Sequence, residues 1–204
     1  MGRPATQHDP RRRALVAAAE EVFVVKGYRA TTIGDLLAVT GLSKGGFYHY
    51  FASKEDVLRA SLDGLLDEAE SVLREAGTLP GTPTDRLRAV FRGMRELRSR
   101  RGEFPRTLAV VLGDETPAAA FHRDLIQRLG PPLADILAGF PVAEPRCTAE
   151  LILDLLTAVT RSPNRAAYLT DPDARARLTT SLRELIARTL GLDPADPALL
   201  DFGW

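Results

Sequence analysis

Between Thr31 and Lys54 the chain reads TTIGDLLAVTGLSKGGFYHYFASK, and its polar residues are of the kinds that hold nucleic-acid phosphate. Lys44 brings a cation, and Tyr48, His49 and Tyr50 each offer a donor to a phosphate oxygen, while Lys54 adds a second cation just beyond them. Gly45 and Gly46 remove side chains at a place where a backbone can come close to a duplex. Contacts of this kind position a protein on DNA more than they read its sequence.

Short helices must present these groups. Leu15, Ala18, Ala19, Val22 and Phe23 recur at i, i+3, i+4, i+7 and i+8, with Asp9-Pro10 as a start signal and Gly27 as a stop, which predicts a first helix over roughly 10–26. Thr32 with Asp35 forms an approximate capping box for a second helix carrying Leu36 and Leu37. Thr40-Gly41-Leu42 interrupts it, and Ser43 restarts the chain as an N-cap. Phe47 and Phe51, four apart, then put two aromatics on the buried face of a third helix. Two short helices joined by a tight turn containing Gly form a helix-turn-helix, here over about 32–51, whose second helix fits the major groove.

Beyond it, Ser53 and Asp56 cap a long helix that carries Leu58, Leu62, Leu65, Leu66, Ala69, Val72, Leu73 and Ala76. A Gly, Pro and Thr loop is expected over 77–83, then a helix with Leu87, Val90, Phe91, Met94 and Leu97. A shorter helix is expected after Pro105, and another from near Pro117 that is broken or kinked at Gly130-Pro131-Pro132. Two strongly apolar helices follow, at about 148–161 and 173–190. No period-2 strand pattern is sustained anywhere, so the expected fold is all-α. Phe91, Met94, Phe104, Phe121 and His122 are candidates to line a ligand cavity, and their helical spacing is equally that of plain core.

Composition narrows the chemistry. The 204 residues hold 27 Lys+Arg and 27 Asp+Glu, a net charge of zero that argues at first against a nucleic-acid partner. The zero is a cancellation: residues 1–54 carry 8 basic and 4 acidic side chains, and residues 55–204 carry 19 and 23. All three lysines, Lys26, Lys44 and Lys54, fall in the first segment, so a basic module precedes an acidic body. One cysteine excludes an internal disulfide, and Cys147 reads as a small hydrophobe in preference to a redox sensor. No leader pattern and no uncharged run of about 20 apolar residues is present, so a soluble, cytoplasmic protein without a membrane partner is expected. His122 and Asp124, two apart, do not share a helix face, and no metal site is expected. The chain holds no nucleophile elbow, phosphate loop or dinucleotide fingerprint, so neither an enzyme nor a cofactor is expected.

Thr31-Thr32-Ile33, then Gly41-Leu42-Ser43-Lys44-Gly45-Gly46-Phe47-Tyr48-His49-Tyr50-Phe51, then Ser53-Lys54-Glu55-Asp56, resembles the signature of the TetR family of transcriptional regulators over about residues 10–60. The resemblance implies an N-terminal three-helix DNA-binding domain, here 1–54, joined to a C-terminal helical-bundle domain, 55–204, for ligand sensing and dimerisation. It implies a homodimeric repressor, paired through the helices at about 148–161 and 173–190 and released from a palindromic operator on double-stranded DNA by a small-molecule effector. An activator, or a regulator controlled by a protein partner, is the alternative. Position by position, Thr32, Lys44, Gly45, Gly46, Tyr48, His49 and Lys54 match family positions that touch DNA. Gly34 departs from the family, which commonly has a polar residue there, and Leu37 and Thr40 stand where small alanines are common. The basic cluster Arg11-Arg12-Arg13 and the arm that carries Arg3 either reach DNA or are simply solvated.

Overall fold

The structure, a computed structural model, describes residues 10–102, 104, 116–161, 165–196 and 199. Among these residues every regular element is a helix, as the apolar periodicity predicts. The order is α1 (Pro10–Lys26), α2 (Ile33–Thr40), α3 (Lys44–Tyr50), α4 (Lys54–Thr78), α5 (Pro83–Arg101), α6 (Thr116–Leu137), α7 (Pro145–Arg161), α8 (Arg165–Thr170) and α9 (Pro172–Leu190).

Local chemistry sets the boundaries in the N-terminal segment. The Thr32 hydroxyl accepts from the Asp35 N–H at 3.2 Å while the Asp35 carboxylate accepts from the Thr32 N–H at 2.7 Å, a complete capping box. Gly41 ends α2 at φ 66°, a left-handed turn that a residue with a Cβ adopts only at a cost, and its N–H closes on the Leu37 carbonyl. Ser43 accepts from the Gly46 N–H at 3.1 Å and opens α3. Ser53 accepts from the Asp56 N–H at the head of α4, and the Asp56 carboxylate returns a bond to the Ala52 N–H.

At 25 residues and 1.5 Å per residue, α4 is about 37 Å long. It packs against α1 on one side and α5 and α6 further along, and α7 packs on α6. One continuous cluster of buried apolar side chains runs from Phe23, Leu36, Phe47 and Phe51 through Leu58, Leu66 and Leu73 to Ile136, Leu137 and Leu190. Burial of this kind stabilises helices too short to persist alone.

Two expectations are corrected. The helix opened near Pro117 does not break at Gly130-Pro131-Pro132: α6 continues to Leu137. Its prolines remove two N–H donors, and the apolar burial of Leu129, Leu133, Ile136 and Leu137 around them offsets that loss. The loop placed at 77–83 is shorter, because α4 runs through Gly77 to Thr78. The short helix after Pro105 and the Asp9 cap lie outside the described residues. The six-residue α8 has no counterpart in the sequence expectations.

Candidate nucleic-acid interface

The second helix of the helix-turn-helix is anchored by its aromatics. Phe47 is 2% exposed and Phe51 3%, and their ring centroids lie 6.0 Å apart. With that face fixed inward, Lys44, Gly45, Tyr48 and His49 are left on the solvent side. The Tyr48 ring stands edge-on to Phe47 at 5.5 Å and keeps 48% of its surface in solvent. His49 packs its ring against Tyr50 at 5.1 Å, and Tyr50 is half-buried. Among the described residues, no side-chain hydrogen bond or ion pair ties down Lys44, Tyr48 or His49.

Among the described residues nothing blocks a side chain at the two glycines of α3. A Cβ built on Gly45 meets nothing within 4 Å, and one on Gly46 meets only the Ser43 hydroxyl at 3.4 Å and Leu42 at 3.6 Å. Neither has a positive φ. Each lowers helix propensity by about 1 kcal/mol relative to alanine.

Two of the residues matched to DNA contacts have internal partners. The Lys54 ammonium donates to the carbonyls of Tyr28 and Thr31 at 2.8 Å each and of Arg29 at 3.4 Å, and it lies 4.4 Å from the Tyr28 ring centroid. Three donors face three acceptors, so Lys54 closes the turn between α1 and α2. The Thr32 hydroxyl likewise donates to Asp35 at 2.7 Å within its cap. The Thr32–Asp35 pair is legible at three residues' spacing, whereas motif spacing does not reveal the partners of Lys54, which lie more than 20 residues away.

A second ring of charges sets the orientation of α2 and α3. Lys26 at the end of α1 pairs with Asp35 of α2 at 2.5 Å. Lys26, and then the Thr32 N–H and hydroxyl, hold the Asp35 carboxyl below the usual carboxylate range. Tyr28 donates its hydroxyl to Glu55 at 3.0 Å. The Arg12 guanidinium lies 4.8 Å above the Phe51 ring, which brings the basic cluster of α1 to the end of α3.

Among the described residues the five candidate ligand residues do not line the cleft between α4 and α5. Phe104 and Phe121 are buried, Phe91 and Met94 are half-buried against the core, and His122 bridges Asp154 at 2.9 Å and the Thr157 hydroxyl at 3.1 Å. That cleft, of about 520 Å³, is lined by Ser71, Val72, Glu75 and Arg92 among others, and by none of the five. Among the described residues no group of three His, Cys, Asp or Glu is placed to hold a metal.

One cluster escaped the sequence. Glu20, only 6% exposed on α1, accepts from the Ser61 hydroxyl of α4 and from Arg101 of α5 at 2.7 Å. Burial pushes the Glu20 carboxyl up, against the opposing pull of Ser61 and Arg101. The available signal was a carboxylate lying between Val16 and Phe23 on the apolar stripe of its helix.

The described residues thus combine a helix-turn-helix, with a solvent-facing basic and aromatic row on its second helix, and a helical body. Residues 15–61 match the family model described as bacterial regulatory proteins, tetR family. It is 36% identical over 91 residues to the HTH-type transcriptional repressor KstR2 of Mycobacterium tuberculosis (strain CDC 1551 / Oshkosh), a match that covers 45% of this chain and 46% of that protein. The chain spans about half the length of the curated relatives it matches. A putative TetR-family transcriptional regulator from Syntrophomonas wolfei superposes with a TM-score of 0.70 at 20% identity, over 91% of this chain and 98% of that one. The regulator AibR, solved in complex with isovaleryl coenzyme A and operator DNA, superposes with a TM-score of 0.55 at 20% identity, over 74% and 86%. These relatives are regulators of transcription and not enzymes. No helix among the described residues is long and apolar enough to cross a membrane.

Proposed function

We propose that this chain is a homodimeric repressor that docks α3 of each subunit in the major groove of a palindromic operator and is released by a small molecule bound in its helical body. The observation that carries the reading is the outward row of Lys44, Tyr48 and His49 over two glycines that the fold itself does not need. Residues 1–54 serve as the reader and 55–204 as the sensing and dimerising body. DNA contact falls to Lys44, Gly45, Gly46, Tyr48, His49 and Tyr50, with Thr32 and Lys54 holding the reader in shape.

Large apolar side chains left in solvent support the dimer. Leu151 on α7 is 62% exposed and Leu185 on α9 is 50% exposed, on the two helices expected to pair. A two-fold dimer places two identical readers on DNA, and their spacing must match one helical turn, about 34 to 36 Å, or a multiple of it. Ligand release needs only a difference in affinity between two conformations: a coupling of about 1 to 3 kcal/mol changes DNA affinity about 5- to 150-fold. AibR, seen with both an acyl coenzyme A and operator DNA, is a precedent for this arrangement in a related fold.

Selection of duplexes from a random library with the full chain tests the proposal. Enrichment of a two-fold symmetric site is expected. Failure to enrich any duplex, or enrichment of a single asymmetric site, contradicts it.

A further inference from the structure

Arg101, the last residue of α5, lies across the middle of α4 and forks between two carboxylates. Its Nη1 reaches Glu20 of α1 at 2.7 Å, and its Nε and Nη2 reach Glu68 of α4 at 2.8 and 2.7 Å. The guanidinium is 17% exposed and the Glu20 side chain 8%, so the bonds are made largely out of water, where they are stiff and directional. Ser61 of α4 fills the remaining side of Glu20.

The path taken by Arg101 is provided by a glycine. A Cβ built on Gly64, inside α4, would stand 3.0 Å from Arg101 Nη2. Gly64 has no positive φ, so its backbone does not require glycine, and in mid-helix it lowers propensity relative to alanine. What it leaves open is the room that Arg101 occupies.

We infer that Arg101 is a positioning residue, a fork that fixes the reader helix α1 to the end of α5 so that movement of α5 is delivered to α2 and α3. The geometry supports this over a purely stabilising role. A buried ion pair is seldom the most stable filling for its site, whereas a two-armed fork specifies one relative placement of three helices. The printed partners of Arg101 lie on α1 and α4, so its route to α3 runs through Glu20. The inference rests on the DNA-binding reading for its consequence, and its first test needs no DNA.

Hydrogen exchange of the full chain provides that test. The double variant Glu20→Gln/Arg101→Gln removes both charges together and leaves no buried charge unpaired, and Arg101→Lys keeps the charge but cannot fork. Both are expected to speed amide exchange about tenfold in α1–α3 while α6 and α7 keep their parent rates. A uniform acceleration in α1–α3, α6 and α7 alike, or none in α1–α3, overturns the inference. Should the double variant and Arg101→Lys both fail to fold, Gly64→Leu decides, because it adds helix propensity while its side chain, starting from a Cβ 3.0 Å from Nη2, takes the room of the guanidinium: faster exchange confined to α1–α3 supports the inference and unchanged exchange overturns it.

A second arm uses a duplex taken from the selection. Arg101→Lys is expected to lower affinity about tenfold with the salt dependence unchanged, since no phosphate contact is lost. A changed salt slope would make Arg101 a DNA contact and overturn the positioning role. If the parent chain binds no duplex, the DNA reading fails while the exchange result still judges the fork.

Discussion

Lys54 sits with its ammonium 4.4 Å from the centroid of the Tyr28 ring and 2.8 Å from the Tyr28 carbonyl, on the inner side of the reader. The residue that the sequence offers as a phosphate contact is thus the clasp between the head of α4 and the turn after α1. Lys54→Met keeps the aliphatic stem and strands the carbonyls of Tyr28 and Thr31. It is expected to cost about 2 kcal/mol of stability in a denaturant titration, the scale of a charged hydrogen bond. It should also lower affinity for every duplex without changing the salt slope. A slope reduced by about 0.9, the value for one lost phosphate contact, would restore Lys54 to the interface.

Lys44 is the contrasting case. It is exposed on α3 with no internal ion pair among the described residues. Lys44→Ala should leave the unfolding midpoint within about 0.5 kcal/mol of the parent, as surface substitutions do, and reduce the salt slope by about 0.9. Tyr48→Phe should weaken binding to all sequences alike, because a phosphate donor carries no base information.

The glycine pair separates fold from function cleanly. Gly45→Ala places a methyl group in space that is empty within the protein and adds helix propensity, so thermal stability should rise or hold, by up to about 1 kcal/mol. Gly46→Leu should keep its helical content as well, measured by circular dichroism. Both should weaken binding of the selected duplex, the leucine variant by more than tenfold. Normal binding by either folded variant would remove the close backbone approach from the account.

Acid acts on two carboxylates in opposite directions. Asp35 is held below its ordinary value, by Lys26 first, so it contributes stability that is present above about pH 4 and lost as pH falls through the lowered value. Asp35→Asn should flatten that acid limb, read from denaturation midpoints between pH 2 and 6. Glu20 is held above its ordinary value by burial, so its contribution is present at low pH and is lost as pH rises through the raised value. Removing its partner alone, in Arg101→Ala, should therefore cost most at neutral pH, about 3 to 5 kcal/mol, and progressively less on acidification.

The helix-turn-helix was legible because its determinants are local. Thr32 and Asp35, Gly41, Ser43, and Phe47 with Phe51 all act within four residues of one another, and each lies where the sequence places it. The internal partners of Lys54 were not legible because they lie 23 to 26 residues earlier, beyond any spacing rule. The Arg101 fork was invisible for the same reason, with Glu20 81 residues away. Pro131 and Pro132 misled in the other direction: a local helix breaker was outweighed by burial that only the packed body supplies. Phe91, Met94, Phe104, Phe121 and His122 had a spacing that fits core and cavity alike, and they do not gather at the α4–α5 cleft.

Pairing of subunits is open to a simple disruption. Leu151→Glu with Leu185→Glu places two charges on the exposed apolar positions of α7 and α9. Sedimentation should shift from dimer to monomer, and affinity for the selected duplex should fall because each reader then binds alone. A dimer that survives both substitutions would move the interface elsewhere.

Footprinting of the selected duplex by the full chain bears most directly on the central claim, that two copies of α3 read DNA together. The account predicts two protected half-sites related by a two-fold axis, on one face of the duplex, with centres about 10 base pairs or a multiple apart, both lost together in Gly46→Leu. A single protected patch without two-fold symmetry, or a symmetric footprint that persists in Gly46→Leu, would contradict it.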